Sequence, residues 1–285
     1  MVELKNIHFS YKKKKKVLFN GLNLQLKGGY IYGLLGKNGA GKTSLLKHMA
    51  GLLYPKMGEC LIKGQQVKER QPEVMQELCI IPEEFALPAV SINAYVAATA
   101  PFYPRFSREQ FSLYLREFEL TAEEKLSAMS YGQKKKFMIA FGLATNARLL
   151  LLDEPTNGLD IPSKSQFRKI IASALEEEKI IVISTHQVRD LENLIDVVVV
   201  LEQGQIAFQH NIANISEKLR FVQDTKGFSA DEVLYQDAAG GRQPGIVKNL
   251  QGAESRVDLE LLFNGIMKNP AALEAVLNKQ QDYVY

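Results

Sequence analysis

The sequence predicts an α/β fold, a mainly parallel sheet covered by helices on both faces, and three observations carry that reading. Short continuous apolar runs at 149–153 (LLLLD), 180–185 (IIVIST) and 197–201 (VVVVL) have the length expected of strands buried on both faces. Between the first two, Ser163 to Glu178 places Phe167, Ile170, Ile171, Ala174 and Leu175 on one helical face. Strands that alternate with amphipathic helices build a parallel sheet, because each parallel crossover needs a connecting helix.

The remaining elements follow in chain order. Residues 2–35 read as three short strands, VELKNIHFSY, VLFNGLNLQL and YIYGLLG, with Gly28 and Gly29 marking a turn, and an antiparallel N-terminal β subdomain is expected. A helix is expected from about Lys42 to Leu52. After Pro88, Ile92, Tyr95, Val96 and Thr99 return to helical spacing. Ser107 and Gln110 then make a capping box for a helix carrying Phe111, Tyr114, Leu115 and Phe118. A further helix starts near Gln133, with Phe137, Ala140, Phe141 and Ala144 as its stripe. Consecutive helices interrupt the strand–helix alternation, so about 88–145 is read as an inserted α-helical subdomain. Glu202 to Gln205 forms a hairpin turn. The texture changes after His210: DAAGGRQPG at 237–245 is a turn or exposed loop, and Leu259, Leu262, Phe263 and Ile266 mark a late helix. The chain therefore divides into a main domain at 1–210 and a small C-terminal accessory region at 211–285.

Composition excludes several classes. Of 285 residues, 46% are hydrophobic and 24% charged, enough apolar material for a core and too much for a disordered chain. A net charge of +3 gives no reason to expect nucleic acid or an anionic surface as a partner. Cys60 and Cys79 form no CxxC pair, so neither a disulfide framework nor a zinc site is expected, and both read as small buried side chains. The most apolar stretch, Phe137 to Leu152, is interrupted by Thr145, Asn146 and Arg148 and runs into Asp153 and Glu154. The start MVELKNIHFSY lacks the basic and apolar regions of a signal peptide. The expectation is a soluble, cytoplasmic chain that reaches a membrane only through a partner.

The chemistry concentrates in two places. GKNGAGKT at 36–43 matches GxxxxGK[ST] and lies between a strand and a helix, where its mechanism requires it. Glycines let successive N–H groups turn inward around phosphates, and the helix N-terminus favours negative charge. Lys42 would reach the β- and γ-phosphates of a nucleotide and the Thr43 hydroxyl would ligate Mg²⁺. The second place is LLLLDE. Asp153, at the carboxyl end of a buried strand, would hold Mg²⁺, and Glu154 could polarise an attacking water as general base. Taken alone, a strand ending in Asp-Glu is equally an ordinary solvated strand end.

GKNGAGKT, MSYGQKKK at 129–136, LLLLDEPTNGLD at 149–160 and STH at 184–186 together resemble the ATP-binding cassette (ABC) ATPases, over about residues 1–210. Met-Ser-Tyr-Gly-Gln is similar to that family's signature motif, usually written LSGGQ, with Met129 and Tyr131 substituted. The resemblance implies a phosphate-loop NTPase core and a set of roles. Gly36, Asn38, Gly39, Ala40, Gly41, Lys42, Thr43 and Ser44 would cradle ATP phosphates and metal. Asp153 would be the metal-side carboxylate, Glu154 the catalytic base and His186 the switch histidine. Asp160 falls in a loop that crosses between subunits, and Tyr11 matches the aromatic that stacks on adenine. Ser130, Gly132 and Gln133 would contact the nucleotide of a second subunit. Where the family usually has a metal-binding glutamine, IIPEE places Glu83, whose carboxylate still offers oxygen to Mg²⁺. The lysine run 12–16 after Tyr11 reads as a solvated charge run.

The implied function is the ATP-hydrolysing subunit of an ABC transporter, closing on a second copy or a homologous subunit and driving a separate integral membrane permease. That partner is expected to dock between Glu83 and about Leu126, near Phe85, Phe102, Tyr103 and Phe106, though each of these aromatics also suits the helical subdomain's own core. A soluble cassette ATPase acting on nucleic acid or ribosomes is the first alternative; the short span from Lys42 to Ser130 and the single cassette speak against it. A nucleotide-gated assembly module is the second, opposed by Glu154 with His186. A small-molecule kinase would leave the signature unexplained. No nucleic-acid partner is expected.

Overall fold

The computed structural model describes residues 1–11, 17–237 and 243–278; the lysine run 12–16 and the centre of the 237–245 loop lie outside the described residues. Strands β1 (Val2–Phe9) and β2 (Phe19–Leu26) pair antiparallel, and β3 (Tyr30–Leu35) leads through a glycine-rich loop into helix α1 (Lys42–Met49). Helix α1 ends before the expected Leu52. Gly51 takes φ +63°, and the Leu52 and Leu53 N–H groups fold back on the Lys47 carbonyl at 2.9 and 3.1 Å, a closure that left-handed glycine permits.

Next come β4 (Met57–Ile62), β5 (Gln65–Gln66), the single turn α2 (Pro72–Met75) and β6 (Leu78–Ile81), all missing from the sequence reading. The helical insertion consists of α3 (Ile92–Thr99), α4 (Arg108–Glu117) and α5 (Tyr131–Ala144). Ser107 caps α4 by accepting from the Gln110 N–H at 3.2 Å. The box is only half closed, because Gln110 Oε1 accepts instead from Asn146 Nδ2 at 2.7 Å. Then follow β7 (Leu149–Asp153), α6 (Ile161–Ser173) and β8 (Ile180–Thr185). Helix α6 stops short of the expected Glu178, since Glu176, Glu177 and Glu178 would sit at the negative end of the helix dipole. Strands β9 (Val197–Glu202) and β10 (Gln205–Asn211) form the expected hairpin; Gln203 and Gly204 both have positive φ, +48° and +78°, as a tight two-residue turn requires.

The tail adds α7 (Ile212–Lys218), β11 (Leu219–Val222), β12 (Val233–Gln236), β13 (Gly245–Lys248), α8 (Leu259–Lys268) and α9 (Pro270–Leu277). Its strands make an antiparallel sheet of order β11-β13-β12 that the sequence reading did not find.

The central sheet has the order β10-β9-β3-β8-β7-β6, parallel except at β10, and the N-terminal sheet the order β2-β1-β4-β5. Alternate residues of each central strand enter two different cores. Leu149, Leu151, Ile180 and Val182 pack with the N-terminal strands and with Leu45, Leu46 and Met49 of α1. Leu150, Leu152, Ile181 and Ile183 face the inserted helices, α6 and the tail. Two covered faces explain why these strands are continuously apolar up to their polar C-terminal ends. The apolar face of α8 is covered too: Leu259, Leu262 and Ile266 are buried in the same core as Leu191 and Leu194 of the segment after β8. Among the described residues no helix is long and apolar enough to cross a membrane.

Both cysteines are free and buried, and loss of solvent pushes the Cys60 thiol up to about 12 and the Cys79 thiol to about 11. Neither is expected to react with a disulfide reagent at pH 8 until the chain is unfolded. Rapid labelling of the native protein would contradict this packing.

Candidate active site

The register of the central sheet fixes the site. Leu35 pairs with Thr185 across β3 and β8, and Asp153 pairs with Ser184 across β7 and β8. The loop after β3 and the carboxylates ending β7 therefore emerge on the same edge, with the end of β8 between them, as in open α/β sheets that bind ligands beyond their strand ends.

Residues 36–43 form a cradle that side chains would fill. A Cβ on Gly36 would lie 2.7 Å from the Leu201 carbonyl oxygen, and Gly39 and Gly41 take φ +78° and +111°. Gly41 caps α1 with no side-chain hydrogen bond, and no acidic residue occupies the first turn. An uncapped helix N-terminus beneath a glycine loop is suited to an anion. Asn38 and Gly39 are exposed at the rim, Ala40 packs at the edge of the N-terminal core, and Lys42 is buried. The Lys42 ammonium donates to the Gly36 carbonyl at 2.8 Å and stands 3.8 Å from Glu154 Oε1. Desolvation lowers its pKa, opposed by Glu154, Asp153 and Glu83 in that order. Ser44 bonds the Tyr11 hydroxyl at 2.9 Å, which brings Tyr11 beside the loop, its ring edge-on to Phe9.

The two carboxylates after β7 are held differently. Asp153 Oδ1 accepts a short hydrogen bond from the Ser184 hydroxyl, and the residue is 2% exposed. Glu154 has φ +45°, a region that a non-glycine residue occupies at a cost on the order of 1–3 kcal/mol. Its N–H donates to the Ser184 carbonyl at 3.0 Å. Oε2 accepts from the Thr185 hydroxyl at 3.1 Å, and Oε1 from the His186 Nδ1–H at 2.8 Å. His186 and Lys42 thus both meet Glu154 Oε1 beyond the strand ends.

Among the described residues three oxygens at this edge carry no hydrogen bond: the Thr43 hydroxyl, Asp153 Oδ2 and Glu83 Oε2. Hard oxygen donors on separate segments fit Mg²⁺, which takes one or two carboxylates and completes its shell with water and phosphate. They do not form a protein cage, and among the described residues no cluster of three or more His, Cys, Asp or Glu side chains could hold a metal alone.

The signature residues sit elsewhere. Ser130 caps α5 with a complete capping box: its Oγ accepts from the Gln133 N–H at 3.2 Å and Gln133 Oε1 from the Ser130 N–H at 2.9 Å. Among the described residues neither Ser130 nor Gly132 bonds to the phosphate loop; a Cβ on Gly132 would meet the Gly158 carbonyl at 3.1 Å. Tyr131 donates its hydroxyl to the Glu83 carbonyl and stacks on Phe85 at 5.9 Å. Asp160 caps α6 by accepting from the Ser163 N–H at 2.8 Å, and those Ser163 hydrogen bonds hold its carboxyl below the usual range.

Sequence reasoning missed the groups that tie these pieces together. Asn157 Nδ2 donates to Glu83 Oε1 at 2.9 Å, and its Oδ1 accepts from Gln187 at 3.3 Å. Lys135, fully buried, donates to the carbonyls of Glu154 at 2.7 Å and Asn157 at 3.3 Å. A signal was present: Lys135 shares the i, i+4, i+8 line of its helix with Ile139 and Leu143, both fully buried.

A protein-family model described as ABC transporter matches residues 19–157. The Nod factor export ATP-binding protein I of Burkholderia orbicola is 31% identical over 210 residues, 72% of this chain and 68% of the relative. The energy-coupling factor transporter ATP-binding protein EcfA of Methanocaldococcus jannaschii is 33% identical over 219 residues, 72% of this chain and 77% of the relative. The ABC transporter ATP-binding protein NatA of Bacillus subtilis is 27% identical over 235 residues, covering 77% and 93%. Among solved structures, an ATP-binding subunit of an ABC transporter superposes with TM-score 0.68 at 24% identity over 75% of this chain and 91% of that one. A dimeric bacterial ABC transporter cassette does so with TM-score 0.66 at 22% identity over 74% and 99%.

Lys42→Ala removes the buried ammonium of the cradle and leaves the backbone turn intact. It is expected to weaken ATP binding by roughly 10- to 100-fold, the worth of one charged hydrogen bond, without unfolding the chain. Unchanged affinity and turnover in a folded variant would contradict the assignment.

Proposed function

The chain belongs to the ABC transporter family as an ATP-binding subunit that hydrolyses ATP, and on that premise we propose which of its residues do this work. The observation that carries the reading is the Lys42 ammonium, set between the Gly36 carbonyl and the Glu154 carboxylate at the mouth of an uncapped helix. Residues 36–44 bind the phosphates through backbone N–H groups, Lys42 and the Thr43 and Ser44 hydroxyls. Tyr11 presents its ring to the base. Thr43, Asp153 and Glu83 would hold Mg²⁺, which would neutralise charge on the phosphate oxygens. Glu154 takes a proton from the attacking water, and His186 and Thr185 fix the direction of its carboxylate through the hydrogen bonds already described.

Residues 1–210 serve as the ATPase domain, with 88–145 as its helical subdomain and 211–285 as an accessory region. Ser130, Gly132 and Asp160 complete the site of a second copy or a homologous subunit. In support, among the described residues Ser130 and Gly132 make no hydrogen bond to their own phosphate loop, Ile161 beside Asp160 is 84% exposed, and related cassettes have been solved as dimers. A permease docks on the helical subdomain. Tyr103 and Phe106 pack against Phe141 and Phe85 stacks on Tyr131, so among the four aromatics Phe102, 71% exposed, is the one offered to that partner. Through it the subunit sits at the cytoplasmic face of the membrane.

The accessory region takes no part in the chemistry and acts on assembly or coupling. It reaches the segment after His186 through the apolar core already described and through the ion pairs Arg189–Glu260 and Arg256–Glu192. These exposed pairs are worth at most about 1 kcal/mol each, so the buried face holds the tail in place.

Two experiments test this division. Glu154→Gln should bind ATP normally and slow phosphate release by roughly 10²- to 10⁴-fold, the usual worth of a general base; hydrolysis at the wild-type rate would remove Glu154 from the role. Leu262→Asp, which buries a carboxylate in the tail's core, should loosen the tail and alter dimerisation or permease recruitment. ATP affinity should stay within about threefold, since 1.4 kcal/mol already makes a factor of ten. Loss of ATP binding in a folded variant would make the tail part of the site.

A further inference from the structure

We propose that Lys135 is a positioning residue for hydrolysis, clamping the strained peptide of Glu154 so that its carboxylate faces the phosphate loop. The inference rests on the assignment of Glu154 as the base.

Glu154 stands at φ +45°, and such a conformation persists only where the surroundings over-determine it. Here both of its peptide groups are pinned. On the N-terminal side, its N–H is bonded to the Ser184 carbonyl of β8. On the C-terminal side, its carbonyl accepts from Lys135 Nζ at 2.7 Å. The same ammonium reaches the Asn157 carbonyl at 3.3 Å, closing the turn between Glu154 and Asn157 into one unit. Asn157 in turn donates to Glu83 and accepts from Gln187, the residue after His186. The clamp therefore ties the helix of the signature motif to the segment that carries the base and to both loops beside it.

A purely structural role does not account for this arrangement. Lysine is almost never fully buried unless paired, and Lys135 is fully buried with no carboxylate in ion-pair range among the described residues. An apolar side chain at this position would follow the line of Ile139 and Leu143 and avoid the desolvation of an ammonium. What the ammonium supplies instead is two hydrogen bonds to main-chain carbonyls and a positive charge whose electrostatic neighbours are Glu83, Glu154 and Asp153. Its Nζ also lies 5.4 Å from the centroid of the Tyr131 ring, a cation–π contact.

The test is steady-state ATP hydrolysis by the full chain, with ATP affinity measured separately, for Lys135→Met, which keeps length and loses charge and donors. The expected result is a fall in kcat of at least about tenfold with ATP affinity within about threefold, since the group acts on the base and not on the phosphate cradle. Adding Lys135→Met to Glu154→Gln should slow turnover no further than Glu154→Gln alone, because residues that act as a unit are non-additive. Lys135→Gln, which keeps a donor without the charge, is read in the same way should Lys135→Met fail to fold. A folded variant with kcat within twofold of wild type overturns the proposal. So does a parallel loss of ATP affinity, a multiplicative effect on top of Glu154→Gln, or failure of both variants to fold, which would make Lys135 a stability residue. If Glu154→Gln itself hydrolyses ATP normally, the base assignment has failed; if it is slow while Lys135→Met is normal, only the clamp has.

Discussion

The structure depends on one register: β8 lies between β3 and β7, with Leu35 beside Thr185 and Asp153 beside Ser184. Parallel pairing makes all three strands end on the same edge, so the loop after β3 and the carboxylates after β7 face each other across a single strand width. Shifting β7 by one residue would exchange its two buried faces and turn Leu149 and Leu151 out of one core and into the other. The packing of both cores therefore fixes where Lys42 and Glu154 meet, and catalytic geometry is a consequence of burial.

Charge balance decides what this edge can hold. Glu83, Asp153 and Glu154 bring three carboxylates together, against the ammonium groups of Lys42 and Lys135. At 3.8 Å the gross Lys42–Glu154 attraction is about 4 kcal/mol for an effective dielectric near 20, and the desolvation of the buried ammonium opposes it. Phosphates entering the cradle compete for the same ammonium, and a divalent cation offsets the charge they add. Glutamate at position 83 adds a negative charge that a glutamine would not, and Asn157 donates to one of its oxygens.

Much of this was legible in the sequence, and for identifiable reasons. Strands β7, β8 and β9 are apolar along their length up to their polar C-terminal ends because both faces are covered, so their bounds are legible almost to the residue. The glycine loop and the Asp-Glu pair were legible because phosphate chemistry restricts residue type. The segment 57–81 was not, since β4 begins with exposed residues and β6 is only four residues long. The tail's sheet escaped because β12 is half-buried throughout and shows no alternation. Helix ends failed where tertiary choices intervened: Gly51 ended α1, and three glutamates ended α6. Of the site residues, Lys42, Asp153, Glu154 and His186 lie at or just beyond the strand ends, whereas Asn157 acts through side-chain contacts and Lys135 through main-chain carbonyls, from side chains that look like an ordinary turn residue and a solvated charge run.

The central claim is that Lys42 and Glu154 meet over the position of the terminal phosphate. The most direct measurement is a structure of the chain with Mg²⁺ and a non-hydrolysable ATP analogue. The phosphates are expected on the N–H groups of residues 36–44, with Lys42 Nζ moved from the Gly36 carbonyl onto phosphate oxygen and Glu154 facing the terminal phosphate with its His186 and Thr185 hydrogen bonds in place. Phosphates seated away from that loop, with Lys42 still on the Gly36 carbonyl, would contradict it.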